Sequence, residues 1–317
     1  METPRILISD KLSAVAKTVM EDAGLSVDDR AGITPEELAT VIGGYDALIV
    51  RSRTKVTGDV LAAGTRLKLV GRAGIGVDNI DVPKATERGV IVMNAPHGNS
   101  VTTAELAIAH MFSQARNLVS AGISMRDGRW EKKKLMGREI TGSVLGVVGL
   151  GNIGRIVAKR ALALEMRVLG YDPFVSAEQM RELGLEPCTE LESLLDQADF
   201  VTLHTPLTPG TRHMIGAAQF QRMKPTATLI NCSRGGIVDE DALLNALERG
   251  EIAGASLDVF ETEPPGEHPL LAHPAVYATP HLGASSHEAQ QKVARELAEQ
   301  FVDYFTRQVL RNALNRP

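Results

Sequence analysis

With 317 residues, 44% of them hydrophobic, the chain is long enough to fill two cores, which excludes an intrinsically disordered protein. Its 39 acids and 34 bases leave a net charge of −5 with no long run of one sign, so the electrostatic footprint of a nucleic-acid binder is missing and no nucleic-acid partner is expected. No apolar run reaches the ~18 residues of a membrane span, "METPRILISD" lacks a signal-peptide pattern, and two cysteines, Cys188 and Cys232, cannot build a disulfide framework or a cysteine-rich metal site; the expected setting is the cytoplasm, with no membrane partner and no metal.

Through Ala95 short apolar runs alternate with amphipathic stretches. "PRILISD", "YDALIVRS", "RLKLVGRA" and "GVIVMNA" predict buried strands, whereas "KLSAVAKTVMEDAG", "TPEELATVIGG" and "GDVLAAG" predict helices closing at glycine. That alternation argues for a parallel sheet covered on both faces, with ligands beyond the carboxyl ends of the strands. Arg51, Ser52 and "GRAGIGVDN" occupy such ends. Next, "NAPHGNSVTTAELAIAHMFSQARNLVSAGISM" predicts one long helix crossing between domains. Thr102 is its expected N-cap, spaced from Glu105 as a capping box, and Ala104, Ile108, Met111, Ala115 and Leu118 recur on one face. The rhythm then restarts with "VLGVVGL", "RVLGYD", "FVTLHTP", "ATLINCS", "AGASLDVF" and "VYATP" as strands, before a final helix, "SHEAQQKVARELAEQFVDYFTRQ", that returns to the first sheet. The expected division is a discontinuous domain of residues 1–97 and 286–317 and an inserted one of 98–285.

Gly149, Gly151 and Gly154 form G-x-G-x-x-G directly after "VLGVV" and before the helical "NIGRIVAKRALALE". This is the context a dinucleotide pyrophosphate requires: a tight glycine turn, close backbone approach and a helix N-terminus. A strand, turn and helix that bind nothing share those glycines, but Asp172 ends the next strand about 20 residues on, where a carboxylate accepts from both ribose hydroxyls. Asp172 repels a 2′-phosphate and no arginine or lysine follows it in "DPF", so NAD is expected over NADP.

Neither a G-x-S-x-G elbow nor a His-Glu-x-x-His motif is present. Hydride transfer instead needs a cation for the substrate carboxylate, an acid/base near neutrality and a partner that orients it. Three predicted strand ends offer Arg234, Glu263 and His281. Each has a plainer reading, as a salt bridge to Asp239 or Glu240, a solvated loop acid, or one of eight histidines. Their convergence past strand ends favours chemistry, since a carboxylate beside a histidine fixes its tautomer and suits it to move protons.

"LGVVGLGNIGR", "YDPF", "HTPLTPGTRHMI", "INCSRGGIVDEDALLNAL", "SLDVFETEPP" and "TPHLGASS" resemble the D-isomer-specific 2-hydroxyacid dehydrogenase family, from about residue 5 to about residue 314. "VRSRTKVT", "GRAGIGVDNID" and "NAPHGNSVTTAEL" are most similar to its members that oxidise 3-phospho-D-glycerate to 3-phosphohydroxypyruvate, the first step of phosphorylated serine biosynthesis. The resemblance implies an α/β fold of two doubly wound parallel-sheet domains, a Rossmann-type NAD domain inserted into a flavodoxin-like substrate domain, in a homodimer or homotetramer. It implies that Arg234 binds the substrate carboxylate and carbonyl, that His281 is the acid/base and that Glu263, rather than Glu261, pairs with it. Cofactor contacts are implied for Ile75, the fingerprint glycines, Asn152, Ile153, Asp172, Thr205, Cys232, Ser233, Arg234, Asp258, His281, Gly283 and Ala284. On the substrate side it implies Arg51, Ser52, Gly74 and Asn99, with Lys132 to Lys134 as a further source of positive field or a solvated loop. Together these residues place the expected active site in a cleft between the domains. The rivals are hydroxypyruvate or glyoxylate reduction, phosphite oxidation, or an NAD-sensing scaffold like the family's corepressors. Many such members continue into a serine-binding regulatory domain, whereas this sequence stops at "VLRNALNRP", so serine inhibition by that route is not expected.

Overall fold

The structure is a computed structural model that describes residues 2–316. In chain order its elements begin β1 (Arg5–Ile8), α1 (Val15–Asp22), β2 (Ser26–Asp29), α2 (Pro35–Val41), β3 (Ala47–Val50), α3 (Gly58–Ala63), β4 (Leu69–Arg72), α4 (Val82–Glu87) and β5 (Ile91–Asn94). They continue with α5 (Ser100–Ala115), α6 (Leu118–Arg126), β6 (Val144–Val148), α7 (Asn152–Ala163), β7 (Arg167–Tyr171), α8 (Ala177–Glu182), β8 (Glu186–Pro187), α9 (Leu191–Leu195) and β9 (Phe200–Leu203). The last are α10 (Ala217–Arg222), β10 (Thr228–Asn231), α11 (Glu240–Glu248), β11 (Gly254–Leu257), α12 (Pro269–Ala272), β12 (Val276–Ala278) and α13 (His287–Val302).

The chain divides into two units, Met1–Asn99 with Ala284–Pro317, and Ser100–Gly283. Among the described residues the first holds a five-stranded sheet of order β2-β1-β3-β4-β5, every pairing parallel. The second holds a seven-stranded parallel sheet, β12-β11-β10-β9-β6-β7-β8. Both are doubly wound: the first has the flavodoxin-like order and the second the dinucleotide-binding order with an added edge strand. Successive strand residues point to opposite faces, so each continuous apolar run splits between two cores. In the first unit Ile6, Ile8, Ala47 and Ile49 join one cluster with Leu297 and Phe301 of α13, while Leu7, Leu48 and Val50 join another with Leu38 and Leu61. The second unit repeats this, with Leu145, Val147 and Ile230 on one side and Val148, Val201 and Leu229 on the other.

Several features differ from the sequence reading, which also has no strand at the two-residue β8. β2 is absent from the predicted strands because "SVDD" has no apolar run; it is an edge strand whose outer residues are exposed, so its backbone pairing with β1 needs no apolar face. The long helix is two. α5 ends at Ala115, whose carbonyl accepts from Arg138 N–H at 2.8 Å, and Asn117 turns left-handed (φ 53°) before α6 begins. Leu118 therefore leaves the apolar face and is 54% exposed. Thr102 is not the N-cap: α5 starts at Ser100, placing Thr102 inside the first turn, while Glu105 reaches Arg160 of α7 at 2.9 Å instead of folding back. Finally, α13 opens at Ser286, whose hydroxyl accepts from Ala289 N–H at 3.1 Å, and widens into a π turn at Asp303–Arg307 rather than running regularly to its end. It packs along α1 within the first unit.

Candidate active site

In the second unit the strand order reverses between β6 and β9, the crevice where open α/β sheets bind ligands. The glycine fingerprint lies there. Gly149 has φ 92°, and a Cβ at Gly154 would sit 1.9 Å from the Gly149 carbonyl oxygen, so the turn closes only with glycine at both positions. At Gly151, the N-cap of α7, a Cβ would meet nothing within 4 Å, so the space in front of this glycine is open. Asp172 spans back from β7, its Oδ2 accepting from Leu150 N–H (2.7 Å) and its Oδ1 from Phe174 N–H (2.8 Å). A carboxylate has lone pairs beyond those two. A glycine cradle, open space at Gly151 and a fixed carboxylate fit a dinucleotide. Thr205, after β9, borders the cradle, and a Cβ at Gly149 would lie 3.1 Å from its Cγ2.

The next strand ends supply the polar groups. After β10, Asn231 organises the turn: its Oδ1 accepts from Ser233 N–H (3.1 Å) and Ser233 Oγ–H (2.8 Å), and its Nδ2 donates to the Arg234 carbonyl (2.9 Å). The Arg234 guanidinium donates to the Ser233 carbonyl at 2.7 Å. A Cβ at Gly235 would lie 1.8 Å from the Phe260 carbonyl oxygen, so the loops carrying Arg234 and Glu263 touch backbone to backbone. Asp239 accepts from Ala242 N–H (2.9 Å) and Glu240 from Glu261 N–H (2.7 Å).

His281 has left-handed backbone (φ 54°), held by its N–H donating to the Asp258 carbonyl at 2.9 Å. Its Nδ1 meets Glu263 Oε2 at 2.6 Å, while Glu261 meets His213 Nε2 at 2.7 Å. Burial raises the pKa of the Glu263 carboxyl, but the hydrogen bond and charge of His281, the Phe260 N–H and the charge of Arg234 outweigh it and hold the group below the usual carboxylate range. An ionised Glu263 accepts, so Nδ1–H donates and Nε2 is the ring nitrogen left for another partner. Asp258, 1% exposed, accepts from Thr279 Oγ–H (2.5 Å), Leu282 N–H (2.7 Å) and Gly283 N–H (2.8 Å), and so holds the loop that bears His281.

Cys232 is 5% exposed, and burial, with Asp258's charge second, pushes its thiol well up. It is no nucleophile at neutral pH. His204, at the end of β9, carries no signal in the sequence; burial pushes it down to about 4 and its Nε2 faces Thr202 Oγ at 3.0 Å, so it is a neutral part of the crevice wall. Lys134 pairs with Glu131 at 2.8 Å.

Arg51, Ser52, Gly74, Ile75, Asn99 and Ala284 belong to the first unit. Its sheet reverses between β1 and β3, and the buried Asp10 lies there. Asp10 accepts from Arg51 N–H (2.6 Å), Thr54 N–H (3.1 Å), Thr54 Oγ–H (2.7 Å) and Arg53 Nε–H (3.1 Å), and Asn79 Nδ2 donates to the Arg51 and Thr54 carbonyls (2.6 Å each). The loop bearing Arg51 and Ser52 is thus tied down by backbone and side-chain hydrogen bonds. Asp10 and Asn79 are invisible in the sequence because nothing there shows which buried acid faces which loop. Asn94 similarly fixes the Ile75 carbonyl at 2.6 Å. Among the described residues no helix is long and apolar enough to cross a membrane.

The family described as "D-isomer specific 2-hydroxyacid dehydrogenase, NAD binding domain" matches residues 108–283. A D-3-phosphoglycerate dehydrogenase of Methanocaldococcus jannaschii is 46% identical over 99% of this chain and 60% of its own length. The chain thus spans about three-fifths of that curated relative. Among solved structures, the TT0316 protein of Thermus thermophilus is similar at a TM-score of 0.89 with 34% identity, covering 98% of this chain and 100% of that one. A glyoxylate reductase from Paecilomyes thermophila has TM-score 0.89 with 27% identity over 99% of each chain. Fold, fingerprint and profile agree: the chain belongs to the D-isomer-specific 2-hydroxyacid dehydrogenases and carries their NAD-binding domain.

Proposed function

We propose that the chain oxidises 3-phospho-D-glycerate to 3-phosphohydroxypyruvate with NAD. The observation that carries the chemistry is the 2.6 Å contact between His281 Nδ1 and an ionised Glu263, with Arg234 close enough for its charge to be felt at Glu263. Bound nicotinamide supplies the hydride acceptor. Arg234 grips the substrate carboxylate at two points and steadies the carbonyl as it forms. His281 Nε2 takes the hydroxyl proton, and Glu263 stabilises the imidazolium that results. Cys232, Ser233, Asn152, Ile153, Gly283 and Ala284 are the remaining proposed cofactor neighbours.

Asp172 supports NAD over NADP, because a 2′-phosphate would meet a carboxylate whose two oxygens are already fixed. NAD should show at least about 10-fold higher kcat/KM than NADP, and Asp172→Ser should narrow that gap. Equal use of both cofactors by the wild type would remove this role.

The choice of substrate rests on the similarity to D-3-phosphoglycerate dehydrogenases at 46% identity, against 27% for the glyoxylate reductase. Arg51 is the proposed determinant of a phosphorylated substrate, with Ser52, Gly74 and Asn99 beside it in the proposal. Arg51→Gln should lower kcat/KM for 3-phosphoglycerate by about 10-fold or more and leave glyoxylate reduction within about 2-fold. Equal losses on both would point to the rival substrates.

A homodimer is part of the same reading. Leu118, Val119, Ile123, Met125, Trp130 and Met136, all within one stretch of chain, are each at least 42% exposed, which supports a partner covering that stretch. Light scattering should give a multiple of the 34.0 kDa chain mass.

A further inference from the structure

α5 carries a polar line that the chemistry above does not use. Thr103, His110 and Gln114 lie on one face of this helix with Ala107 between them, at helical spacing. Thr103 and His110 are each 5% exposed. Thr103 and His110 reach the loop after β12 that carries His281, whereas Gln114 reaches the start of β11. Thr103 Oγ–H donates to the Gly283 carbonyl at 2.8 Å, His110 Nε2 meets Thr279 Oγ at 3.0 Å, and Gln114 Nε2 donates to the Ala255 carbonyl at 2.7 Å.

The middle contact has a direction. Asp258 accepts from the backbone of Leu282 and Gly283, so the 2.5 Å contact with Thr279 is donated by the hydroxyl. A hydroxyl has one hydrogen. Thr279 Oγ can then only accept from His110, which fixes the proton on His110 Nε2. Burial holds the His110 imidazole below its usual pKa against the opposing charge of Asp258, which keeps the ring neutral with one N–H to give. The chain of donors runs His110 to Thr279 to Asp258, and Asp258 in turn holds Leu282 N–H, Gly283 N–H and, through its carbonyl, His281 N–H.

We propose that His110 and Thr279 are positioning residues for His281: they fix the Asp258 carboxylate, and through it the Thr279–Gly283 loop from which His281 meets Glu263. The inference rests on His281 being the acid/base. The loop is held by side chains of α5. A carboxylate free to rotate would release two backbone amides, and a shift of about 1 Å in a proton-transfer group is enough to slow turnover by up to about 100-fold.

The test compares Thr279→Val with Thr279→Ser, and His110→Leu with His110→Gln, in the whole chain, with folding checked by circular dichroism. Thr279→Val should lower kcat about 10-fold while KM for the hydroxy acid stays within about 2-fold, since Arg234 is untouched; Thr279→Ser should recover most of kcat. His110→Leu should act in the same direction, and His110→Gln, which keeps a donor at the same reach, should recover most of the loss. A second readout needs no turnover. Nitrogen-15 NMR of the ring nitrogens should show wild-type His110 as the neutral Nε2–H tautomer, and the His281 Nδ1–H signal should move in Thr279→Val but not in Thr279→Ser. Wild-type kcat in Thr279→Val, or equal damage from Val and Ser, overturns the proposal. If the wild type turns over no 2-hydroxy acid, the functional reading fails by itself. The ring spectra then decide the relay, and an unmoved His281 signal in Thr279→Val overturns it.

Discussion

His281→Ala is expected to lower turnover by roughly 10²–10⁴-fold, the range for removing a positioned acid/base, while NADH binding followed by fluorescence stays within about 3-fold of the wild type. The expectation follows from where the groups sit. The fingerprint turn is closed by Gly149 and Gly154 against each other, and Asp172 is fixed to that turn through Leu150 N–H; none of these contacts involves His281. Removing the imidazole leaves the cradle as it was. It also leaves Glu263 without the Nδ1–H donor at 2.6 Å, the chief stabiliser of its charge, so the carboxyl pKa should rise toward ordinary values. Undiminished turnover in His281→Ala would remove the acid/base assignment, and parallel loss of NADH binding would make the histidine structural.

Arg234→Lys should lower kcat/KM for the hydroxy acid by about 10- to 100-fold, mostly through KM. A lysine keeps the positive charge but not the planar fork that grips two carboxylate oxygens. The substitution also loses the donor to the Ser233 carbonyl at 2.7 Å, which aims the side chain. The turn should survive, because Asn231 binds the Arg234 carbonyl rather than its side chain. Steady-state kinetics on both variants separate the two roles: His281 governs kcat, and Arg234 governs binding and orientation. A lysine variant within about 2-fold of wild type would contradict a two-point grip.

Much of this architecture could be read from the chain because buried parallel strands are written as continuous apolar runs. "RILI" and "ALIV" need no partner information to be recognised, and the period of two then divides their side chains between the two cores. β2 could not be read that way, since an edge strand is defined by its neighbour's backbone and "SVDD" carries no apolar signal. The break at Asn117 was hidden for a related reason. In "QARNLVS" the one local hint is Asn117, which tolerates the left-handed backbone it adopts, and Arg138, distant in sequence, satisfies the Ala115 carbonyl left by the break.

The candidate site was legible where a residue's place relative to a strand end is enough, as for Arg234, Glu263, His281 and the glycine turn. The residues that aim them were not. Asp10, Asn79, Asn231, Thr279 and His110 act through contacts between segments that are separate in the sequence, and each looks like an ordinary polar residue in isolation. On α5 the apolar face through Ala104 and Met111 was the stronger signal and concealed the polar line beside it. A buried histidine on a helix reads first as core, and only its partners show that it is part of a donor chain.

The central claim is that this chain is an NAD-dependent dehydrogenase whose preferred substrate is a phosphorylated D-2-hydroxy acid. The most direct measurement is NADH formation by the purified chain with 3-phospho-D-glycerate, beside D-glycerate, D-lactate and phosphite, and consumption of NADH with glyoxylate and hydroxypyruvate. The account predicts the highest kcat/KM for 3-phospho-D-glycerate and its oxo acid, and little with the unphosphorylated acids. Preference for glyoxylate, hydroxypyruvate or phosphite would contradict the substrate, and no turnover of any of them would contradict the enzyme.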